Sequence, residues 1–101
     1  MKSQITINSF NSIKIIKADN FVSKFCGFML IKQADYAILF TNCSSVHTFF
    51  MRFNLDIVFL DKNGIVVGFK RNIKPWRIVL PVKKAVDILE IPVGLADNSL
   101  F

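Results

Sequence analysis

The run from Leu55 to Phe69 constrains the fold most. Two apolar segments of strand length, Leu55 to Leu60 and Ile65 to Phe69, are separated by Asp61-Lys62-Asn63-Gly64. Asn-Gly accepts positive φ at both central positions of a type I′ turn, whose twist matches that of paired strands, so an antiparallel hairpin is expected. A two-residue loop at Asn63 and Gly64 puts Asp56 opposite Arg71, and a three-residue loop puts it opposite Lys70. In either register a carboxylate inside an apolar strand meets a cation. The candidate partners are Arg71, Lys70 and Arg52, in that order.

Shorter signals flank the hairpin. Ile5 and Ile7, then Ile13, Ile15 and Ile16 around an Asn11-Ser12 break, predict two strands of an N-terminal hairpin. Asp19 is placed to cap a short helix through about Cys26, with Phe21, Val22 and Phe25 on one apolar face and Gly27 ending it. Tyr36 to Phe40 is a further strand. Pro75 and Pro81 deny ladder hydrogen bonds on either side of Trp76 to Leu80, which makes that segment an edge strand or extended connection. Ala85 to Ile91 is the last strand, stopped by Pro92 and Gly94. Many short strands and one helix predict a mainly β chain, α+β in the strict sense, folded as a small antiparallel sandwich or barrel.

Residues 1–101 are expected to form one domain, since a chain of this size with 52% apolar residues, eleven of them Phe, buries one core. Cys26 and Cys43 have no framework spacing and read as reduced thiols. No apolar run reaches the ~18 residues of a spanning helix, and Met1 to Ile7 lacks the apolar stretch of a signal peptide, so the expected location is cytoplasmic, with no membrane partner. The net charge of +6 is carried by Lys70, Arg71, Lys74, Arg77, Lys83 and Lys84, because the acids and remaining bases elsewhere cancel. That segment is where an anionic partner is sought.

The stretch His47-Thr-Phe-Phe-Met-Arg-Phe53, followed by Leu55-Asp-Ile-Val-Phe-Leu-Asp61, resembles the family called domain of unknown function 192, in particular its bacterial branch. Gly27-Phe28-Met29, Leu39-Phe40, Cys43, Lys74-Pro75-Trp76-Arg77 and Leu89-Glu90-Ile91-Pro92-Val93-Gly94 match in the family's order. Asn54 stands where the family usually carries proline. The resemblance implies a compact, mainly β fold with jelly-roll-like sandwich character, and no established activity.

Several residue sets compete as sites. Cys43 and His47 could form a nucleophilic pair or contribute to a metal site, with Cys26, Asp56 or Met51 as further ligands. Against this, i and i+4 side chains on a strand lie ~13 Å apart and a closed zinc site wants four Cys or His ligands. Along a strand, residues 48, 50, 52, 54 and 56 share one face, and 47, 49, 51, 53 and 55 the other, unless a bulge near Asn54 intervenes. Arg52, Asp56 and Glu90 could form an ion network under Trp76, or with His47, Phe50, Arg71, Trp76 and Arg77 could line a shallow site for a small polar or anionic ligand. The preferred reading is a binding or interaction module without intrinsic catalysis, cofactor or metal. The alternative is a small enzyme or metal-dependent site around Cys43, His47 and Asp56. Nucleic acid binding through Lys70 to Lys84 is disfavoured, because one Trp and no recognition motif accompany the charge.

Overall fold

The computed structural model describes the backbone of Gln4–Thr6 and residues 13–96. The expected turn at Asn11-Ser12 and the side chain of Phe21 lie outside the described residues. The elements run β1 (Gln4–Thr6), β2 (Lys14–Ala18), α1 (Phe21–Cys26), β3 (Tyr36–Phe40), β4 (Val46–His47), β5 (Leu55–Leu60), β6 (Val66–Ile73), β7 (Ile78–Val79) and β8 (Asp87–Pro92). Six strands form one sheet in the order β1-β2-β3-β8-β5-β6, and β4 with β7 forms a separate two-stranded ribbon. The chain is mainly β with one short helix, as the sequence predicts. Pairing is antiparallel except between β2 and β3, which run parallel because α1 and the turns after it carry the chain back across the sheet.

Alternation along the strands fills both faces. Ile38, Phe40, Leu55, Ile57, Phe59 and Ile88 pack on one side with Ala18, Phe28, Met51 and Val79, so residues from α1's turn, the 48–54 segment and the ribbon cover that face. Ile15, Ala37, Val58, Leu89 and Ile91 point to the other, with Leu39, Leu60 and Leu95 packed against them. Phe28, Phe40 and Phe59 are fully buried, and each contributes on the order of 2–3 kcal/mol. No helix among the described residues is long and apolar enough to cross a membrane.

The hairpin forms, with a different turn. Asp61 N–H donates to Ile65 O and Gly64 N–H to Asp61 O, which makes a three-residue loop in which Gly64 has positive φ and Asn63 does not. The reason is Asp61: its Oδ1 accepts from both Asn63 and Ile65 N–H and fixes the longer loop. A three-residue loop alone would set Asp56 opposite Lys70. An extra residue at Val67 shifts the register so that Ile57 faces Lys70, and a second irregularity sets Asp56 against Arg71 and Asn72.

Three further expectations are corrected. The helix is capped by Asn20, not Asp19: Asn20 Oδ1 accepts from Ser23 N–H, and the Ser23 hydroxyl reaches back to the cap. Val22 and Phe25, expected to be buried by α1, are exposed, because six residues are too few to lay a full stripe on the sheet. Residues 46–56 are not a continuous strand. The chain turns through residues 48–54, so the predicted two-face alternation fails there, with Thr48 and Met51 buried and Phe50 and Arg52 outside. Between the prolines only Ile78–Val79 is strand, and the last strand is Asp87–Pro92.

Candidate functional site

The site is built around Thr48, a buried residue between β4 and the turns that follow. Its N–H donates to Arg77 O and its carbonyl accepts from Trp76 N–H. Its hydroxyl donates to Lys74 O at 2.8 Å and accepts from Arg77 N–H at 2.8 Å. One side chain therefore clamps the whole Lys74-Pro75-Trp76-Arg77 loop to the 48–54 segment. The clamp holds unusual backbone: Leu30, Phe50 and Trp76 have φ of 65°, 62° and 67°. A non-glycine residue in that left-handed region costs roughly 1–2 kcal/mol, so the surrounding hydrogen bonds must offset it.

The clamp presents an aromatic ridge. Phe25 lies 5.1 Å from His47, His47 stacks on Phe49 at 5.0 Å, Phe49 lies 5.9 Å from Trp76, and Phe50 packs on Trp76 at 4.7 Å. Leu30 joins through its N–H, which donates to Phe50 O. Beside the ridge a groove of about 410 Å3 opens between the end of β6 and β7, lined by Lys70, Asn72, Lys74 and Arg77 with Ile73, Ile78 and Val79. Three cations and an amide face it, and no acid does. The Arg77 guanidinium donates one N–H to Pro75 O at 3.3 Å, out of the five N–H groups that a guanidinium carries.

The anticipated site residues divide into separate groups. His47, Phe50 and Trp76 are together in the ridge. Arg77 lines the groove, whereas Arg52 and Trp76, expected to face a common pocket, do not line it. Asp56 is buried and its Oδ2 lies 3.6 Å from the Arg71 guanidinium, while Oδ1 accepts from Asn72 N–H. The first-ranked partner is therefore the observed one. Glu90 does not join them. Asp56 faces Ile91 and Ile57 faces Glu90 in the β5–β8 ladder, so the two carboxylates point to opposite faces of the sheet and no shared ion network forms.

Glu90 is fully buried between Ile38 and Ile57 under the Gly27 turn, and both carboxyl oxygens lack a hydrogen-bond partner. Burial pushes its pKa up to about 8, so it is neutral where ordinary carboxylates are charged. A Cβ at Gly27 would come within 3.6 Å of Glu90 Oε1 and 3.1 Å of the Phe40 ring, which explains the glycine directly above the carboxyl.

Cys43, His47 and Asp56 are engaged by different groups: Cys43 Sγ donates to Ser45 O, and His47 Nε2 lies 3.1 Å from Phe25 O while Nδ1 accepts from Phe49 N–H. Among the described residues no three His, Cys, Asp or Glu side chains gather to hold a metal. Lys70, Asn72, Lys74 and Thr48 were missed as individual site residues. The basic run marked the first and third; nothing local marked Thr48.

Residues 3–100 match the family DUF192, described as "Uncharacterized ACR, COG1430". The chain belongs to that family. Its relatives include the UPF0127 protein TK1120 of Thermococcus kodakarensis, 40% identical over 88 residues that cover 81% of this chain and 55% of the relative. The UPF0127 protein PYRAB11210 of Pyrococcus abyssi is 36% identical over 101 residues, covering 90% of this chain and 85% of its own length. The DUF192 chain thus spans about half the length of the Thermococcus relative. These relatives are archaeal, which overturns the assignment to a bacterial branch. Two solved structures share the DUF192 fold: a protein of unknown function from Novosphingobium aromaticivorans (TM-score 0.73, 17% identity, 91% of this chain and 72% of that one) and a putative transcription regulator from Sinorhizobium meliloti (TM-score 0.70, 20% identity, 82% and 70%).

Proposed function

We propose that this DUF192 protein is a non-catalytic binding module that takes a small anionic ligand in the groove beside the aromatic ridge. The observation that carries the reading is the lining: Lys70, Lys74 and Arg77 converge with Asn72 on one concavity that contains no carboxylate. Arg77 supplies a planar two-point donor and the lysines supply mobile point charges, a combination suited to a carboxylate or phosphate. The volume is within the range of small-ligand sites. The alternative around Cys43, His47 and Asp56 has less support, because each of the three is already satisfied by a separate neighbour.

Trp76 is the only tryptophan and, though outside the groove lining, adjoins Arg77, so its emission is the readout for a ligand held by that residue. Inorganic phosphate and citrate should give saturable changes at low salt that weaken as salt rises. Arg77→Ala and Lys74→Ala should each weaken binding about tenfold, the loss of one charged hydrogen bond. A flat titration with every anion tried would remove the proposal.

A further inference from the structure

The ridge is larger than a small-ligand site needs. Phe25, Leu30, Phe50, Trp76 and Ile78 are each about half to two-thirds exposed. They come from four separate parts of the chain and meet on one surface. The ring contacts join Phe25 to Trp76 and Phe50, the Leu30–Phe50 hydrogen bond adds Leu30, and the β4–β7 register sets Ile78 opposite His47 on the ribbon's outer side while Val79 faces the core. A contiguous apolar surface of this kind marks an interaction site. Three of its members hold left-handed backbone in order to stand outward, fixed there by Thr48 and the turns around it.

We propose that this ridge docks on an anionic lipid bilayer, and that the anion drawn into the groove is a lipid phosphate headgroup. The second clause rests on the anion-binding reading of the groove; the first stands on the ridge itself. Charge complementarity selects the occupant. Lys24 at the end of α1, and Lys74 and Arg77 beside Trp76, flank the ridge of a chain whose net charge is +6. A second copy would bring like charges together, whereas an anionic surface meets them favourably. Shape then separates the anionic partners. Nucleic acid needs open ring faces, but Phe50 and Trp76 pack on each other at 59°, His47 and Phe49 are stacked, and Leu30 and Ile78 have no ring to offer. An acidic peptide needs pockets for its side chains, but the apolar groups here stand outward on α1, on turns and on the outer side of a ribbon. The interface of a bilayer accepts protruding Trp, Phe, Leu and Ile with no demand on shape, and places phosphates at the height of the flanking cations.

The test uses the full chain with vesicles of phosphatidylcholine alone or mixed equally with phosphatidylglycerol. Sedimentation should recover at least about tenfold more protein with the anionic vesicles, and Trp76 emission should shift to the blue as the ring leaves water. Phe50→Ser and Phe25→Ser, at exposed ridge residues that do not line the groove, should each lower vesicle binding several-fold while leaving the circular dichroism spectrum and the response to phosphate unchanged. Lys74→Ala should weaken both vesicle and phosphate binding; Lys62→Ala, on the distant hairpin turn, should change neither. Failure to sediment with anionic vesicles overturns the proposal, as does sedimentation without a blue shift and insensitive to Phe50→Ser, which is mere electrostatic adsorption. Self-association that protects Trp76 from quenching, or saturable binding of an acidic amphipathic peptide with vesicles left unbound, overturns it in favour of those partners. Vesicle docking with no phosphate response overturns the headgroup clause and the groove reading while the ridge stands.

Discussion

Replacing Glu90 with glutamine should abolish a pH dependence that the wild-type protein shows between weakly acidic and weakly alkaline conditions. The carboxyl has a folded-state pKa of about 8 against an ordinary value of 4.5, raised by burial. Between those values the native state keeps a proton that the unfolded chain has released, so stability falls as pH rises. The contribution is fully present below 4.5 and fully lost above about 8. At ~1.4 kcal/mol per pH unit the interval amounts to ~5 kcal/mol, a large part of the ~5–15 kcal/mol that holds a typical domain together. The group has no exposure to screen it and no cation against it. Urea unfolding of wild type and Glu90→Gln across this range reads the difference. The variant should match wild type within ~1 kcal/mol near pH 5, exceed it by several kcal/mol above pH 8, and lose the downward slope, since the amide cannot ionise. Two parallel curves would show that Glu90 ionises without cost, and the sealed position assigned to it would be wrong.

Other substitutions test the remaining parts of the frame. Asp56→Asn keeps an acceptor for Asn72 N–H but drops the charge facing Arg71, a cation that is itself 41% exposed, so chemical denaturation should show a modest loss of ~1 kcal/mol; no loss would deny the pair a structural role. Thr48→Val preserves shape while orphaning Arg77 N–H and Lys74 O, which should cost ~2–4 kcal/mol and raise the mobility of Trp76 in fluorescence anisotropy; unchanged anisotropy would show that the clamp is not what holds the ridge. Gly27→Ala forces a methyl to 3.1 Å from the Phe40 ring on backbone with φ of 45°, and should lower the melting temperature by several degrees; a neutral result would contradict the close packing over Glu90.

Much of the frame is readable in the chain because local chemistry decides it. Alternating Ile, Leu and Val mark β2, β3, β5 and β8, and Gly64 marks the position of the β5–β6 turn that has positive φ. The exact turn was not readable from Asn-Gly, because the competing acceptor is the side chain of Asp61, two and four residues before the N–H groups it binds. Arg71 was found for Asp56 through a simple count, although the count is correct only because the extra residue at Val67 compensates for the longer loop. Two offsetting irregularities look like none.

The face of Glu90 was also legible and was misread. In Ile88-Leu89-Glu90-Ile91-Pro92, strict alternation puts Glu90 with Ile88, and the β5–β8 register then puts it with Ile57 and Phe59 on the face opposite Asp56. Grouping residues by charge rather than by alternation joined two carboxylates that the sheet separates. The ridge had no such local signature. Phe25, His47, Phe50, Trp76 and Ile78 are scattered along the chain, and their meeting depends on a six-residue helix too short to bury its apolar side and on two hydrogen bonds of the Thr48 hydroxyl. A short helix reads as incomplete packing, and a lone threonine reads as strand filler. Only the fold shows that the unburied side of the one is continuous with the loop clamped by the other, which is why an exposed apolar surface lies where the sequence predicts buried core and edge strand.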